Sequence, residues 1–271
     1  MSLKSSISVL WQVLCEDAQF TRMGAHRGDL FRLHYSGRLA ERRGDAALPR
    51  TLGFLQNDKP VQVELSAPYT GAFKGIFLDQ EYECKHRFEV PPRRILDLGA
   101  NIGMGAIHFS CQFPEADILC VEPDPRNIRL LERNLKSNSL KASLVGAAIG
   151  PSKGKLMLRF GDNPTCSALE SSPMHSLSDE TEVVVTTVPD LLESFGWDFV
   201  DLLKIDIEGS EDELLSTNNE WLKKVGVLIL EVHPNTTPEK ILSYLAPFGF
   251  TLERFGHGRE PVYFAKRDQG C

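Results

Sequence analysis

Short apolar runs alternate with amphipathic stretches along the last two thirds of the chain. From about residue 93 onward, the apolar runs are rich in Ile, Leu and Val, and the stretches between them have helical periodicity. Continuous apolar runs are typical of strands buried on both faces, as in a parallel sheet covered by helices. The pattern therefore predicts an α/β domain at residues 93–268, preceded by an N-terminal extension.

Seven strands can be placed in this domain. Five are predicted in order, at residues 94–98, 117–121, 142–149, 202–207 and 225–232, with helices at 103–112 and 125–138 between the first three. Thr237-Pro238-Glu239 predicts the start of a further helix that ends near Gly249, because Thr is a common cap and Pro fits the first turn. The last two runs, 251–255 and 261–266, predict a terminal antiparallel hairpin.

Two segments depart from this alternation. Residues 1–92 begin with a weakly helical stretch that contains Trp11 and Phe20, and they continue with short apolar runs at 61–65 and 76–78. We interpret them as an N-terminal cap. Residues 161–181 are rich in Ser, Pro, Asp and Asn, and a polar segment of this length inside a compact domain predicts a lid or an excursion from the fold.

Composition restricts the location and the partners. The formal net charge is −7, which opposes binding to nucleic acid, because such binding depends on clustered Lys and Arg. The six cysteines show no CxxC pair and no zinc-ligand spacing, which favours a reducing compartment. No apolar run of about twenty residues is present, so we expect no membrane span and a cytoplasmic protein.

A glycine-bearing loop follows the first predicted strand and opens a helix. It reads Asp97-Leu98-Gly99-Ala100-Asn101-Ile102-Gly103, and its glycine spacing differs from the GxGxxG of dinucleotide-binding proteins. The second strand ends in Glu122-Pro123 beside this loop. A carboxylate there can accept hydrogen bonds from both hydroxyls of a ribose. The two motifs therefore predict a nucleotide-type cofactor site that does not press a pyrophosphate against the helix N-terminus.

Together with the ends of strands four and five, these motifs resemble the FkbM-type methyltransferase family. The distinguishing segment is Lys204-Ile205-Asp206-Ile207-Glu208-Gly209-Ser210-Glu211, followed on the next strand by Leu230-Glu231-Val232-His233. The resemblance covers about residues 92–266. It implies a class I methyltransferase fold, which is Rossmann-like with a seven-stranded, mostly parallel sheet and an antiparallel terminal strand. It also implies S-adenosyl-L-methionine as cofactor and O-methylation of a hydroxyl on a sugar or secondary metabolite.

The resemblance also assigns contacts to the cofactor. Gly99, Asn101 and Gly103 would line its methionine and ribose portions, Glu122 would bind the ribose, and Ala148 would approach the adenine. The expected cofactor-binding set is completed by Asp97, Ala100, Pro123 and Asp206.

Methyl transfer to a hydroxyl requires alignment of donor and acceptor and removal of a proton. Alternation places Lys204, Asp206 and Glu208 on one side of strand four, and Glu231 and His233 share a side of strand five, so these groups are expected at one cleft. We hypothesise that His233 is the base, since an imidazole with a pKa of about 6.5 accepts a proton at neutral pH. Asp206 would lie near the methyl donor, with Glu208 and Lys204 as further catalytic candidates. Lys204 needs a buried acidic partner such as Asp206 or Glu231.

Several alternatives stay open at this point. Asp206, Glu208 and His233 offer ligands for a divalent metal, a minor alternative to a metal-free site. Stabilisation of a helix dipole is an equal alternative for Glu211, which opens the next helix. An NAD(P)-dependent Rossmann oxidoreductase is opposed by the glycine spacing, and a noncatalytic cofactor-binding protein by the acids at the strand ends. The expected partner is a small-molecule acceptor, and a homodimer is left open.

Overall fold

The computed structural model describes residues 3–43, 48–160, 167–169, 179–256 and 261–267. Most of the segment predicted as a lid, 161–181, lies outside the described residues, as does most of the turn between the last two predicted strands. The strands are β1 (Arg50–Gln56), β2 (Lys59–Leu65), β3 (Arg94–Leu98), β4 (Asp117–Val121), β5 (Ala142–Val145), β6 (Ala148–Ile149), β7 (Gly154–Phe160), β8 (Ser167–Leu169), β9 (Asp179–Thr186), β10 (Val200–Ile205), β11 (Val225–Glu231), β12 (Phe250–Arg254) and β13 (Val262–Arg267). The helices are α1 (Leu3–Arg22), α2 (Asp29–Arg43), α3 (Thr70–Phe73), α4 (Met104–Gln112), α5 (Pro125–Ser137), α6 (Val188–Phe195), α7 (Glu211–Ser216) and α8 (Pro238–Leu245).

The central sheet has seven strands in the order β12-β13-β11-β10-β3-β4-β5. The five strands from β11 to β5 are parallel, whereas β13 runs antiparallel to both β11 and β12. This arrangement confirms the predicted class I methyltransferase fold and its antiparallel terminal hairpin. Because parallel strands end at one edge of a sheet, the loops that follow β3, β4 and β10 meet there.

The starts of two helices follow from capping residues. Asp124 precedes α5 and accepts a hydrogen bond from the backbone N–H of Arg126 at 2.7 Å. Thr237 precedes α8 and accepts one from the backbone N–H of Lys240 at 3.3 Å. Each helix also has proline in its first turn, where no hydrogen-bond donor is needed. None of the described helices is long and apolar enough to span a membrane.

The third predicted strand, residues 142–149, is wrong as a single element. Its first part forms β5 at the edge of the central sheet, and its last part forms β6. A tight turn separates them, in which the Ala147 N–H donates to the Val145 carbonyl at 3.2 Å. β6 joins a second sheet of four strands, in the order β6-β9-β7-β8. The chain thus leaves one sheet for another at Gly146-Ala147, in the middle of the run predicted as one strand.

The helix α6 was not predicted. The β-branched run before it extends the pattern of a strand as far as Val188, but β9 ends at Thr186. Thr187 caps the helix, accepting a hydrogen bond from the Asp190 N–H at 3.3 Å, and Pro189 lies in its first turn. A cap followed by proline is a helix start, and here it overrides the strand propensity of the valines.

The N-terminal region contains two helices and a hairpin. β1 and β2 pair antiparallel across a two-residue turn, Asn57-Asp58, where both φ angles are positive. Aromatic side chains fill the space behind the hairpin, and the Phe54 and Phe77 rings lie 4.9 Å apart. These residues belong to the same hydrophobic cluster as α4 and one face of the central sheet. The division into a cap at residues 1–92 and a methyltransferase domain at 93–268 stays a prediction.

Candidate active site

A cleft of about 570 Å³, open to solvent, lies at the carboxyl ends of β3, β4 and β10. Most of the residues predicted to bind the cofactor or to act in catalysis lie on its wall. The lining consists of Gly99, Asn101, Val121, Glu122, Pro123, Asn127, Ala147, Ala148, Ile149, Asp206, Ile207 and Glu208.

Five predicted site residues do not reach this wall. His233 lies behind Glu208, with its Nε2 3.6 Å from Glu208 Oε2. Asp97 and Lys204 are buried beneath the wall. Ala100 lies within the glycine loop and is 3% exposed, and Gly103 precedes α4 against Leu131 of α5. These residues shape and support the cleft. Their predicted contact with a cofactor, and the predicted catalytic part of Lys204, stay predictions.

The loop after β3 depends on glycine at position 99. Gly99 has a φ of +76°, and a Cβ added to it would lie 1.7 Å from the carbonyl oxygen of Asp206. Its N–H donates to the Val121 carbonyl at 3.0 Å, so the loop is held against both neighbouring strands. A side chain at this position would push the loop away from the end of β10. Both segments line the cleft, so its shape depends on this contact.

Substitution of Gly99 by alanine is therefore expected to destabilise the protein by roughly 2–4 kcal/mol, from the positive φ and the overlap with backbone. Chemical denaturation followed by circular dichroism measures this change. Gly154→Ala is the matched control, because a Cβ at Gly154 meets nothing within 4 Å. If both variants unfold at the same denaturant concentration, the close contact with Asp206 is not needed for the fold.

Glu122, at the end of β4, connects this strand to the glycine loop that follows β3. Its Oε2 accepts a hydrogen bond from the Asn101 N–H at 2.8 Å. Its Oε1 accepts bonds from the Asp124 N–H at 3.0 Å and from the Asn127 side-chain amide at 3.1 Å. Burial raises the pKa of Glu122 to about 7, although the three donors favour the ionised form. The carboxylate is thus oriented by the protein at the position predicted for a ribose.

Lys204 lies beneath the glycine loop, between acids from two strands. Its Nζ donates to the Gly99 carbonyl at 2.7 Å and lies 3.1 Å from Asp97 Oδ1 and 3.4 Å from Asp206 Oδ2. The predicted partner Asp206 is therefore present, and Asp97 is a closer one. Burial works against the charge of Lys204, but the two carboxylates outweigh it and raise its pKa. The ammonium joins the loop after β3 to the end of β10.

The acids and the histidine at the ends of β10 and β11 converge as predicted. His233 Nδ1 lies 3.0 Å from Glu211 Oε1, while its Nε2 lies 3.6 Å from Glu208 Oε2 and 3.7 Å from Glu231 Oε1. Asp206, Glu208 and His233 each offer one ligand atom, and these atoms lie within 4.8 Å of one another. The geometry thus joins one buried imidazole to several carboxyl groups.

Glu211 does more than stabilise the dipole of the helix that it begins, α7. It is fully buried, and its Oε1 also accepts hydrogen bonds from the N–H groups of Ile207 and Gly209, at 3.1 and 3.3 Å. These bonds hold a turn in which Glu208 and Gly209 have φ angles of 54° and 96°. Glu211 therefore fixes both the imidazole and the backbone that carries Glu208.

The electrostatic surroundings change the protonation expected for His233. Burial lowers the pKa of the imidazole, but the hydrogen bond to Glu211 and the charges of Glu211, Asp206 and Glu231 outweigh burial and raise it to about 10. Burial, followed by the charge of Asp206, raises the pKa of Glu208 to about 8. The ordinary pKa assumed from the sequence does not hold, and the imidazole carries its proton at neutral pH.

The N-terminal region contributes tyrosines to the site. The Tyr82 hydroxyl donates to Asp206 Oδ2 at 3.4 Å, and the Tyr69 hydroxyl donates to Asn127 Oδ1 at 2.7 Å, behind Glu122. The neighbouring Glu83 accepts a hydrogen bond from the Lys85 N–H at 3.4 Å. Residues 1–92 thus reach both sides of the cleft from behind.

Comparison with known proteins assigns the family. The model of the methyltransferase FkbM domain matches residues 97–252, which include the glycine loop, Glu122 and the acids after β10. The chain belongs to this family. It is a methyltransferase, as the resemblance of its motifs predicted.

Three relatives show the range of this family. Methyltransferase sdnD of Sordaria araneosa is 28% identical over 67% of this chain and 82% of its own length. Hexuronic acid methyltransferase AglP of Haloferax volcanii is 26% identical over 64% of this chain and 70% of its own. The 2-O-methyltransferase NoeI of Sinorhizobium fredii is 26% identical over 64% of this chain and 78% of its own.

Proposed function

We propose that this protein is an S-adenosylmethionine-dependent O-methyltransferase whose acceptor is a hydroxyl of a small sugar or secondary metabolite. The observation that carries the proposal is the cleft itself, in which an oriented Glu122 at the end of β4 faces Asp206 and Glu208 at the end of β10. The relative named for 2-O-methylation supports a hydroxyl acceptor, and the relative named for a hexuronic acid supports an acceptor of the sugar class.

The cleft has the features that this cofactor requires. Glu122 offers an oriented carboxylate to the ribose hydroxyls, and Ala147, Ala148 and Ile149 form an apolar wall for the adenine. Asn101 Oδ1 is buried and has no hydrogen-bond partner among the described residues, so it is available to a donor group of a ligand. Gly99 leaves space for the methionine portion. When bound, S-adenosylmethionine would supply a methyl group on a positively charged sulfur.

The proton of the acceptor hydroxyl would pass to the pair formed by Glu208 and His233. Glu208 lies on the wall of the cleft and, with a pKa of about 8, is the member of the pair that ionises first as the pH rises. His233 Nε2 lies 3.6 Å behind it and stabilises its ionised form. S-adenosylmethionine would supply the methyl group and leave as a neutral thioether, while Glu208 and His233 would hold the proton released by the acceptor hydroxyl.

The remaining proposals concern partners and location. The acidic groups in the cleft favour a small neutral acceptor over a polyanion, and neither nucleic acid nor a membrane is an expected partner. Cytoplasmic location is supported by three buried free thiols, those of Cys84, Cys111 and Cys120. A homodimer stays open. A divalent metal at Asp206, Glu208 and His233 finds no support in the relatives, and the high pKa of the imidazole opposes metal ligation.

Calorimetric titration with S-adenosylmethionine and S-adenosylhomocysteine tests the cofactor. We expect both to bind with micromolar dissociation constants, and Glu122→Gln to weaken both by about tenfold, because an amide cannot accept from all three donors around this side chain. Glu132→Gln on the exposed face of α5 is the matched control. The affinity for S-adenosylhomocysteine should rise between about pH 6 and pH 8 as Glu122 ionises, in the wild type and not in Glu122→Gln.

Outcomes of this titration separate the alternatives. Binding of NAD in place of the sulfur ligands would identify an oxidoreductase-type site and contradict the proposal. Binding of both sulfur ligands, followed by transfer of a labelled methyl group to a hydroxyl compound in an acceptor screen, would support it. The screen is run with and without a chelator, because loss of transfer in the chelator would indicate a metal.

A further inference from the structure

The wall of the cleft below the end of β10 carries two carboxyl groups that face inward. The side chains of Asp206 and Glu208 are 24% and 28% exposed, and both line the cleft. The nearest cationic groups, Lys204 and His233, are only 4% and 8% exposed and lie behind them. A ligand in the cleft therefore meets the two acids before it meets any of these cations.

Each of these cations has a closer partner than the acid on the wall. Lys204 Nζ lies 3.1 Å from Asp97 and 3.4 Å from Asp206. His233 lies 3.0 Å from Glu211 and 3.6 Å from Glu208, a distance longer than a hydrogen bond. Five carboxyl groups thus share two cations, since Glu231 also lies 3.7 Å from His233, and the excess negative charge lies at the surface of the cleft. The raised pKa of Glu208, to which Asp206 contributes after burial, agrees with this excess.

We propose that Asp206 and Glu208 recognise the positive charge of the methyl donor, so that the cleft binds S-adenosylmethionine more tightly than S-adenosylhomocysteine. This inference rests on the proposed function. The two ligands share the adenosine and the amino-acid portion, and they differ by one methyl group and the charge on sulfur. A charge that is attracted to two partly buried carboxylates loses this attraction when the methyl group leaves.

Loss of the positive charge on sulfur also affects turnover. After transfer, the neutral thioether no longer balances the acids, and a proton from the acceptor remains on the pair of Glu208 and His233. The product is then held only by the contacts that it shares with the donor. The cleft therefore favours exchange of product for donor, and product inhibition is expected to be weak.

Calorimetric titration with three ligands tests the proposal, in a chelator throughout and at about pH 8.5, where Glu208, whose pKa is raised to about 8, is mostly ionised. They are S-adenosylmethionine, S-adenosylhomocysteine and sinefungin, an unreactive analogue with an ammonium group near the position of the sulfonium methyl. We expect the two cations to bind at least about tenfold more tightly than S-adenosylhomocysteine. Glu208→Gln should reduce this ratio to about threefold or less while changing the affinity for S-adenosylhomocysteine by less than that. Glu213→Gln, an exposed acid on α7, should leave the ratio unchanged.

Asp206→Asn provides a second measurement, because either acid alone can retain part of the preference. Equal or tighter binding of S-adenosylhomocysteine by the wild type would overturn the inference and leave the cofactor assignment intact. A preference for S-adenosylmethionine that survives both substitutions would also overturn the inference and leave the cofactor assignment intact. So would a preference that appears only when magnesium replaces the chelator. Failure of all three ligands to bind would instead overturn the proposed function and this inference with it.

Discussion

Replacement of Lys204 by methionine is expected to lower the free energy of unfolding by roughly 3–5 kcal/mol. The ammonium is 4% exposed, lies 3.1 Å from the fully buried Asp97 carboxyl and donates to the Gly99 carbonyl at 2.7 Å. Methionine keeps the apolar part of the side chain and removes its charge, so Asp97 loses its cation in a site without solvent. Urea denaturation followed by circular dichroism gives the change in free energy.

Two further variants separate the ion pair from a general effect of losing a lysine. Lys223→Met removes a cation whose side chain is 66% exposed and should cost less than about 1 kcal/mol. Lys204→Met combined with Asp97→Asn should recover part of the loss, because the uncompensated charge is removed as well. If Lys204→Met unfolds at the same urea concentration as the wild type, this ion pair does not hold the glycine loop to β10.

The pattern of apolar and polar residues did not identify the nearest acidic partner of Lys204. The apolar run at 202–207 predicts a strand, and a lysine within it predicts a buried acid nearby. The nearest one is Asp97, because β10 pairs with β3 in a register that places Lys204 opposite Asp97. Which strands become neighbours depends on the packing of the whole sheet, and a local pattern does not contain that information.

Boundaries were predicted well where caps or turns mark them. β3, β4 and the starts of α5 and α8 agree with the predicted positions because apolar runs, Asp, Thr and Pro define them. The run 142–149 has only Gly146 as a turn signal, and a lone glycine within a strand pattern also fits a bulge, so the division of the run between two sheets was not predicted. The hairpin of β1 and β2 did carry a signal: Leu52, Phe54, Val61 and Val63 alternate with exposed residues on either side of Asn57-Asp58.

The site was predictable to the extent that topology determines it. Acids that follow neighbouring parallel strands must meet at one edge of the sheet, and the cleft contains Glu122, Asp206 and Glu208 for this reason. The protonation of His233 was not predictable, since it depends on the burial of Glu211 and on distances to several carboxyl groups. Electrostatic coupling of this kind arises only after the elements have packed.

Substitution of His233 by asparagine is expected to reduce the turnover number by about 10²–10⁴-fold. The asparagine amide can still donate to Glu211 near the position of Nδ1, but the group at Nε2 that faces Glu208 is lost. Without it, Glu208 loses the nearer of the two cations that stabilise its ionised form, and only the more distant Lys204 remains. Single-turnover transfer of a labelled methyl group to an acceptor from the screen measures the rate, and the affinity for S-adenosylhomocysteine should change less than about threefold.

The pH dependence separates this role from a structural one. In the wild type the transfer rate should rise as the pH increases through about 8, where Glu208 loses its proton. Because the pKa of His233 is raised, its charged form stabilises the fold below about pH 6.5, and this stabilisation is lost as the pH rises through about 10. A His233→Asn enzyme with the wild-type rate and pH profile would exclude His233 from proton transfer. A slow His233→Asn enzyme whose free energy of unfolding no longer varies between about pH 8 and pH 10 would show that the charge lost in this variant is that of the imidazole.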